Sequence, residues 1–290
     1  MPPRMADGAL LLGALAAAPL HAQRCDPGPG SNEARMLAMA ALPLTFTGGR
    51  APDPPADGRI ALVLESALAP SVDPSVAIPS TCQPGKGPEN ATPLGVVARP
   101  RLAVQFGRGW TLEASWLPPV TRVAGVRTDL WGVALARTVV GPRGRGSLTL
   151  RGHWLFGSAR APITCPDASL TAPGPCAGGQ RSDDRWSPNT LGVDLVAAGA
   201  GRLRPHLGVG VARLRPSLQV DRVTAGGQRD STLVVASLTR AALFGGVEVP
   251  VGGVRVGAEA YWVPADAATL RTTVTVPLVR GGPAARRRRR

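Results

Sequence analysis

GVRVGAEAYWVP, residues Gly253–Pro264, decides the fold, because its side chains alternate between two kinds. One parity is apolar throughout and comprises Val254, Val256, Ala258, Ala260 and Trp262. The other parity comprises Arg255, Gly257, Glu259 and Tyr261. Successive side chains of a β-strand point to opposite faces, so this period of two predicts a strand with one apolar and one charged face.

The same alternation recurs along the chain, and it predicts about ten strands. Many span the 9–11 residues that a tilted transmembrane strand needs. The other candidates are Arg59–Ala67, Arg99–Phe106, Trp110–Leu117, Arg127–Val140, Ser147–Gly157, Thr190–Ala197, Leu203–Ala212, Leu233–Val249 and Thr269–Leu278. In Arg127–Val140 we expect Leu130, Gly132, Ala134 and Ala136 on the apolar face and Asp129 and Arg137 on the polar one.

The connections between these strands alternate between short and longer ones. The short ones are Gly107–Gly109, Gly141–Gly146, Ala198–Arg202 and Pro250–Gly253. The longer ones are Leu68–Ala98, Pro118–Val126, Ser158–Asn189, Arg213–Thr232 and Val263–Ala268. Bacterial transmembrane barrels have short periplasmic turns and longer external loops. The chain is therefore predicted to be all-β, a closed antiparallel up-and-down transmembrane barrel of about ten strands, within a range of 8–12.

These patterns resemble the small outer-membrane β-barrel proteins of Gram-negative-type bacteria. The resemblance covers Arg59–Val279, including GVRVGAEAYWVP and the stretch TLRTTVTVPLV. It implies a place in the bacterial outer membrane, contact with outer-membrane lipid and insertion by the barrel assembly machinery. Such barrels usually end in a terminal aromatic residue that aids assembly, whereas Val279 ends the last strand here and GGPAARRRRR follows after Arg280 begins the tail.

Charges inside the predicted strands fall opposite the apolar face, so we expect them to line the lumen. A ten-stranded barrel is narrow and filled by side chains, and buried charges persist when they are paired. The structural expectation is a salt-bridged lumen, and the functional alternative is a narrow polar path with slight anion preference. The predicted network is Arg101, Glu113, Asp129, Arg137, Arg151, His153, Asp194, Arg204, His206, Arg240, Glu248, Arg255, Glu259 and Arg271. Trp110, Trp116, Trp154 and Trp262 are expected to form an aromatic girdle at the membrane interfaces.

The two ends of the chain differ from the barrel region 59–279. Residues 1–22 read as a secretory signal peptide with an apolar core at Ala9–Ala18. Residues 23–58 form a linker with a short helix at Ser31–Leu42, Ser31 being the N-cap. This segment is expected either on the periplasmic rim of the barrel or as a plug in its lumen. Residues 280–290 are expected to be a disordered basic tail in the periplasm.

Export makes disulfides possible. Cys165 and Cys176 lie in one loop and form the expected pair. Cys25 and Cys82 remain, but the topology puts the first in the periplasm and the second outside. They can pair only if the N-terminal segment threads the lumen or if the strand count is off by one; the alternatives are free thiols or pairing with a partner.

The residues predict no metal, cofactor or catalytic site, and no enzyme activity. The net charge of +14 comes largely from scattered arginines and the terminal run Arg286–Arg290, so nucleic acid is not expected as a partner. The expected role is structural, adhesive or passive passage of small polar or anionic solutes. The alternatives are a secreted β-sandwich binding module and, with less support, an outer-membrane barrel hydrolase.

Overall fold

The computed structural model describes residues 23–45, 59–83, 88–90, 92, 94–107, 109–119, 125–140 and 146–279. The predicted signal peptide, residues 1–22, and the predicted basic tail, residues 280–290, lie outside the described residues.

Ten antiparallel strands close into a barrel, which confirms the predicted fold class. Each strand pairs with the next along the chain, and the last pairs with the first through Val274 and Leu64. The strands are β1 Ile60–Leu68, β2 Val96–Phe106, β3 Trp110–Leu117, β4 Arg127–Val140, β5 Gly146–Ala161, β6 Thr190–Gly199, β7 Arg204–Leu214, β8 Leu238–Val251, β9 Val254–Val263 and β10 Ala267–Val279.

Apolar side chains cover the outside of the barrel. Leu207 is 67% exposed, Leu191 is 61% exposed and Trp262 is 49% exposed. Water would penalise so much exposed apolar area, whereas lipid hydrocarbon accommodates it, and the closed sheet pairs its backbone groups internally as hydrocarbon requires. The outside is therefore a lipid-facing belt. Trp110, Trp116, Trp131 and Trp154 also lie on this face.

The long connections lie at one end of the barrel, which we call the outer end. Here β5 extends beyond the rim, and a ladder of short strands continues its sheet. These strands are Asp184–Ser187, Ser217–Gln219, Leu233–Val235 and, parallel to the last, Arg24–Cys25. We call these strands and the loops 162–189 and 215–237 the outer cap. The predicted strand Leu233–Val249 is thus divided between the cap and β8.

Helix α1 spans Asn32–Ala41. Ser31 caps it as predicted, because its hydroxyl accepts a hydrogen bond from the Ala34 backbone N–H at 3.2 Å. A 3₁₀ turn, Leu42–Leu44, continues from the helix, with Pro43 inside it. A second short helix, α2, spans Asp167–Thr171 in the cap.

Strand β4 faces the opposite way from the prediction. Trp131, Leu135 and Val139 point toward lipid, whereas Leu130, Ala134 and Ala136 are buried inside. The physical reason is size. Bulky residues gain most from the lipid face, and small ones fit a narrow, filled lumen.

Asp129 and Arg137 consequently lie outside the barrel, and their assignment to the lumen network is wrong. The Asp129 carboxylate accepts hydrogen bonds from the indole N–H groups of Trp116 at 3.1 Å and Trp131 at 3.2 Å. The Arg137 guanidinium lies 5.5 Å from the centre of the Trp110 ring. Charges on the lipid face are tolerated near the interfaces, and these two are near opposite ends of the strand.

Candidate functional site: a plugged lumen beneath an outer cap

Glu65 centres the first group of lumen charges. Its carboxylate binds Arg99 at 2.8 Å and also binds Arg101, whose guanidinium reaches Glu113 at 3.0 Å. Arg99, Arg101 and Glu65 are at most 3% exposed. Alternating inward positions on β1, β2 and β3 bring them together, because side chains two residues apart share a face. Arg99 was not among the predicted network residues, since it lies at the end of the predicted strand.

A second group lies on strands β5, β6, β7, β9 and β10. Arg151 and His153 of β5 contact Asp194 of β6 at 3.2 Å and 3.5 Å. On β7, His206 lies 3.0 Å from Glu259, which is also 3.6 Å from Arg271. These charges are buried, so pairing offsets part of the free energy lost on dehydration.

The remaining predicted lumen residues lie near the two mouths. At the inner end Glu248 accepts hydrogen bonds from Arg204 and Arg255, each at 3.3 Å. At the outer end Arg240 binds Asp266 at 2.8 Å and donates to the Pro29 carbonyl at 3.4 Å. Paired charges therefore extend along the length of the lumen.

The N-terminal segment occupies the lumen. Leu42 packs against Phe244 and Tyr261, which point inward from β8 and β9. Arg271 donates to the Leu42 carbonyl at 2.6 Å, and Arg99 donates to the Leu44 carbonyl at 2.6 Å. We call residues 31–45 the plug.

Barrel arginines also hold the lower end of the plug. Arg99 donates to the Thr45 carbonyl at 3.0 Å, and Arg271 donates to the Thr45 hydroxyl at 2.5 Å. Two arginines thus join the lumen charges to the plug backbone. Of the two expectations for this segment, the plug is confirmed and packing on the periplasmic rim is wrong.

The outer end of the plug is fixed to the connection between β1 and β2 and, through the strand Arg24–Cys25, to the cap. Cys25 is disulfide-bonded to Cys82, which resolves the conflict in the topology because the chain threads the lumen. The Glu33 carboxylate accepts backbone hydrogen bonds from Thr81 at 2.7 Å and Cys82 at 2.6 Å. Burial alone would raise the pKa of Glu33, but these hydrogen bonds and one from Ser80 outweigh it and lower the pKa.

A buried carboxylate organises the outer cap. Asp184 is fully buried and accepts hydrogen bonds from the backbone N–H groups of Thr164 at 2.6 Å and Asp221 at 2.8 Å, and from the Ser182 hydroxyl at 2.8 Å. The predicted disulfide between Cys165 and Cys176 closes the same loop. The cap is consequently an ordered surface.

A polar groove of about 600 Å³ lies on this surface. Asp183 binds Arg160 at 3.0 Å and Arg127 at 2.9 Å. Arg185 is the strand partner of Arg160 and also lines the groove, and it forms no ion pair within the described part of the chain. Two more carboxylates line the groove, and each has its own arginine: Asp221 pairs with Arg229 at 2.9 Å and Asp230 with Arg222 at 3.2 Å. Around Asp183, Arg160, Arg185 and the adjacent Arg127 therefore leave a local positive excess.

The fold is that of the outer-membrane β-barrel proteins. No family model matches the chain, and no curated protein sequence matches it. A similar solved structure is the crystal structure of Ail, the attachment invasion locus protein of Yersinia pestis, in complex with the heparin analogue sucrose octasulfate. The two chains share 9% sequence identity and a TM-score of 0.21, over 77% of this chain and 98% of that one. A likeness this loose supports no argument about function.

Two general features of the described residues complete the site. Within them, no three His, Cys, Asp or Glu side chains are grouped so as to hold a metal ion. None of the described helices is both long and apolar enough to cross a membrane.

Proposed function

We propose that this protein is a bacterial outer-membrane barrel whose role is structural or adhesive and resides in the outer cap. The observation that carries the proposal is the plug. It lies in the lumen, is held there by Arg99 and Arg271, and is joined to the cap through Cys25 and Cys82. A lumen occupied in this way favours a surface role over passage of solutes.

The location follows from the surfaces of the barrel. Its apolar belt suits outer-membrane lipid as a partner, and residues 1–22 would direct export. The barrel assembly machinery would insert the chain. The even strand number and the long connections support an orientation with the cap on the outside of the cell.

The cap groove is the proposed contact surface. Asp221 and Asp230 of the groove are each paired with an arginine. Arg160, Arg185 and the adjacent Arg127 outnumber the Asp183 carboxylate, so this part of the groove favours an anionic polar partner. We propose binding without catalysis. The two histidines, His153 and His206, each lie beside a lumen carboxylate, which suits a structural hydrogen-bonding role.

Conductance in planar lipid bilayers tests the closed lumen. The wild-type protein should give no stable channel steps. A variant that lacks residues 23–45 and carries Cys82→Ser should conduct, because the plug is gone. The double variant Cys165→Ser/Cys176→Ser is the matched control and should remain silent, since its disulfide does not hold the plug. Stable steps from the wild-type protein would contradict the proposed surface role.

Binding of dextran sulfate tests the cap groove, with neutral dextran as the comparison. The protein is reconstituted in nanodiscs and should bind the polyanion alone. Arg185→Glu should weaken this binding several-fold, because it adds a negative charge to the groove. Arg213→Glu is the matched control, as Arg213 is also exposed but lies on β7 away from the groove. Equal effects of the two variants would argue against the groove.

A further inference from the structure

The barrel wall is incompletely paired between β2 and β3. Their ladder runs from Phe106 and Trp110 near the inner end to Arg101 and Ser115, although β2 begins five residues earlier at Val96. Above Arg101, β2 stays paired with β1, as in Leu64 with Pro100. Its other edge has no strand partner in the described ranges. We call this gap, between residues 96–100 and the outer end of β3, the lateral seam.

Proline explains why the ladder stops. Pro100 lies within β2, and Pro118 and Pro119 follow directly after the last residue of β3. Proline has no backbone N–H to donate to a ladder, and within sheets it is confined to edges, first residues and bulges. Three prolines at one seam therefore keep the two strands from pairing up to the rim.

A cavity of about 240 Å³ lies behind the seam, between the plug and the wall. Ala40 and Leu44 of the plug line one side, and Leu130 lines another. The cavity also reaches Val96, which is 52% exposed on the lipid side, and Val97, which points inward. A cavity that touches both faces of one strand reaches around the strand's free edge. Among the described residues, its lining therefore extends from the inside of the wall to the lipid-facing belt.

The chemistry of the lining is apolar. The hydroxyl of Thr128, one of its few polar groups, donates to the Pro118 carbonyl at 3.3 Å. Apolar cavities of about 150 Å³ stay dry and bind small hydrocarbons, while pockets for whole ligands begin near about 300 Å³. The cavity therefore suits a segment of hydrocarbon rather than a whole ligand.

One buried donor in the lining is left unsatisfied. Trp186 is 5% exposed, and its indole N–H has no hydrogen-bond partner among the residues that the structure describes. An unpaired buried donor costs free energy that an acceptor in the cavity would recover. An ester carbonyl next to a hydrocarbon chain would supply such an acceptor.

We propose that this cavity binds an acyl chain of a membrane lipid, which enters through the lateral seam from the outer leaflet. The extension of the cavity lining to the lipid-facing belt favours this occupant, because the bilayer presents acyl chains there. A bound chain would fill the space between the plug and the wall. The cavity is separate from the cap groove, so an experiment can contradict the proposal for one site without affecting the proposal for the other.

Photo-crosslinking tests this proposal on the full-length protein in nanodiscs. The probe is a phosphatidylethanolamine with a diazirine on one acyl chain, and adducts are mapped by peptide mass spectrometry. We expect adducts at the inward residues Val97 and Val126 as well as on the outer belt. Leu130→Trp fills the cavity and should reduce the inward adducts roughly tenfold, the equivalent of about 1.4 kcal/mol. Leu243→Trp, on the lipid face of β8, is the matched control and should leave them unchanged.

Three results would overturn the proposal. The first is a wild-type map with adducts on outward residues alone, which decides the matter even if Leu130→Trp does not fold. The second is an inward signal that a folded Leu130→Trp variant leaves intact. The third is that benzene added from solution occupies the cavity while no lipid adduct forms at Val97 or Val126. This result would assign the site to small apolar solutes.

Discussion

Replacing Glu65 by Gln should destabilise the barrel more than any comparable change on its outer face. The Glu65 carboxylate is the shared partner of Arg99 and Arg101, and all three side chains are almost fully buried. Glutamine keeps the size and removes the charge. Both guanidinium groups then remain in the lumen without their common counter-ion.

The magnitude follows from what each arginine retains. Removing one partner of a buried ion pair costs roughly 3–5 kcal/mol. Arg99 keeps its hydrogen bonds to Leu44 and Thr45, and Arg101 keeps Glu113. We therefore expect the lower part of the range, about 3 kcal/mol, which is roughly a hundredfold in the ratio of folded to unfolded protein.

Urea unfolding of the protein in lipid vesicles measures this free energy, and the loss of heat-modifiable gel mobility gives an independent readout. Asp129→Asn makes the same chemical change on the outer face, where the carboxylate accepts hydrogen bonds from two indoles, and should cost under about 1.5 kcal/mol. Adding Arg101→Gln to Glu65→Gln should restore part of the loss, because one unpaired buried charge disappears. If Glu65→Gln and Asp129→Asn are equally mild, the lumen charges are solvated and this reasoning is refuted.

Two further predictions concern the plug and the packing of the lumen. The pKa of Glu33 lies below its ordinary value of 4.5, so its stabilising effect is complete above that value and is lost as the pH falls through the lowered pKa. Glu33→Gln should cost about 2 kcal/mol in urea unfolding at pH 7, and the difference from wild type should shrink on acidification; a constant difference would contradict this. Gly246→Ala should cost about 1–3 kcal/mol, since its new methyl group would meet the Ala258 carbonyl at 2.2 Å. Gly152→Ala meets nothing within 4 Å and should be neutral; similar losses from both variants would rule out the close approach as the cause.

Alternation in the sequence was sufficient to predict the barrel and its approximate strand number, and the residue type at Ser31 was sufficient to predict the helix cap. It failed for Arg127–Val140, because Asp129 and Arg137 share a face with Trp131 and Leu135, and counting charges assigned that face to the lumen. The side-chain sizes held the better signal, since Gly132, Ala134 and Ala136 occupy the opposite parity. A charged residue identifies the lumen-facing side of a strand only when it lies near the middle of that strand. Near the strand ends, aromatic side chains on the lipid face can pair with a charge.

The cysteines left the plug as one of several possibilities. Cys25 and Cys82 can pair if the N-terminal segment threads the lumen or if the strand count is off by one, and the structure has both the pairing and ten strands. The sequence did not predict the hydrogen bonds from Arg99 and Arg271 to the plug. Both arginines donate to backbone carbonyls, and a residue of any type supplies a backbone carbonyl. Three prolines in the sequence indicate the seam between β2 and β3. The cavity behind the seam could not be predicted in this way, because it depends on where the plug packs.

The disulfide between Cys25 and Cys82 has a consequence for biogenesis. It closes a loop with a sequence separation of 57. Within this loop the plug runs from the outer end toward the inner end, and β1 returns to the outer end. Threading the plug into a finished cylinder would require the N-terminal tip to travel outward past every lumen ion pair. Wrapping the remaining strands around the plug and β1 requires no such passage. The order of events that fits this topology begins with the plug and β1 joined by the disulfide between Cys25 and Cys82. It ends when β10 pairs with β1, so that the last strand encloses the N-terminal segment.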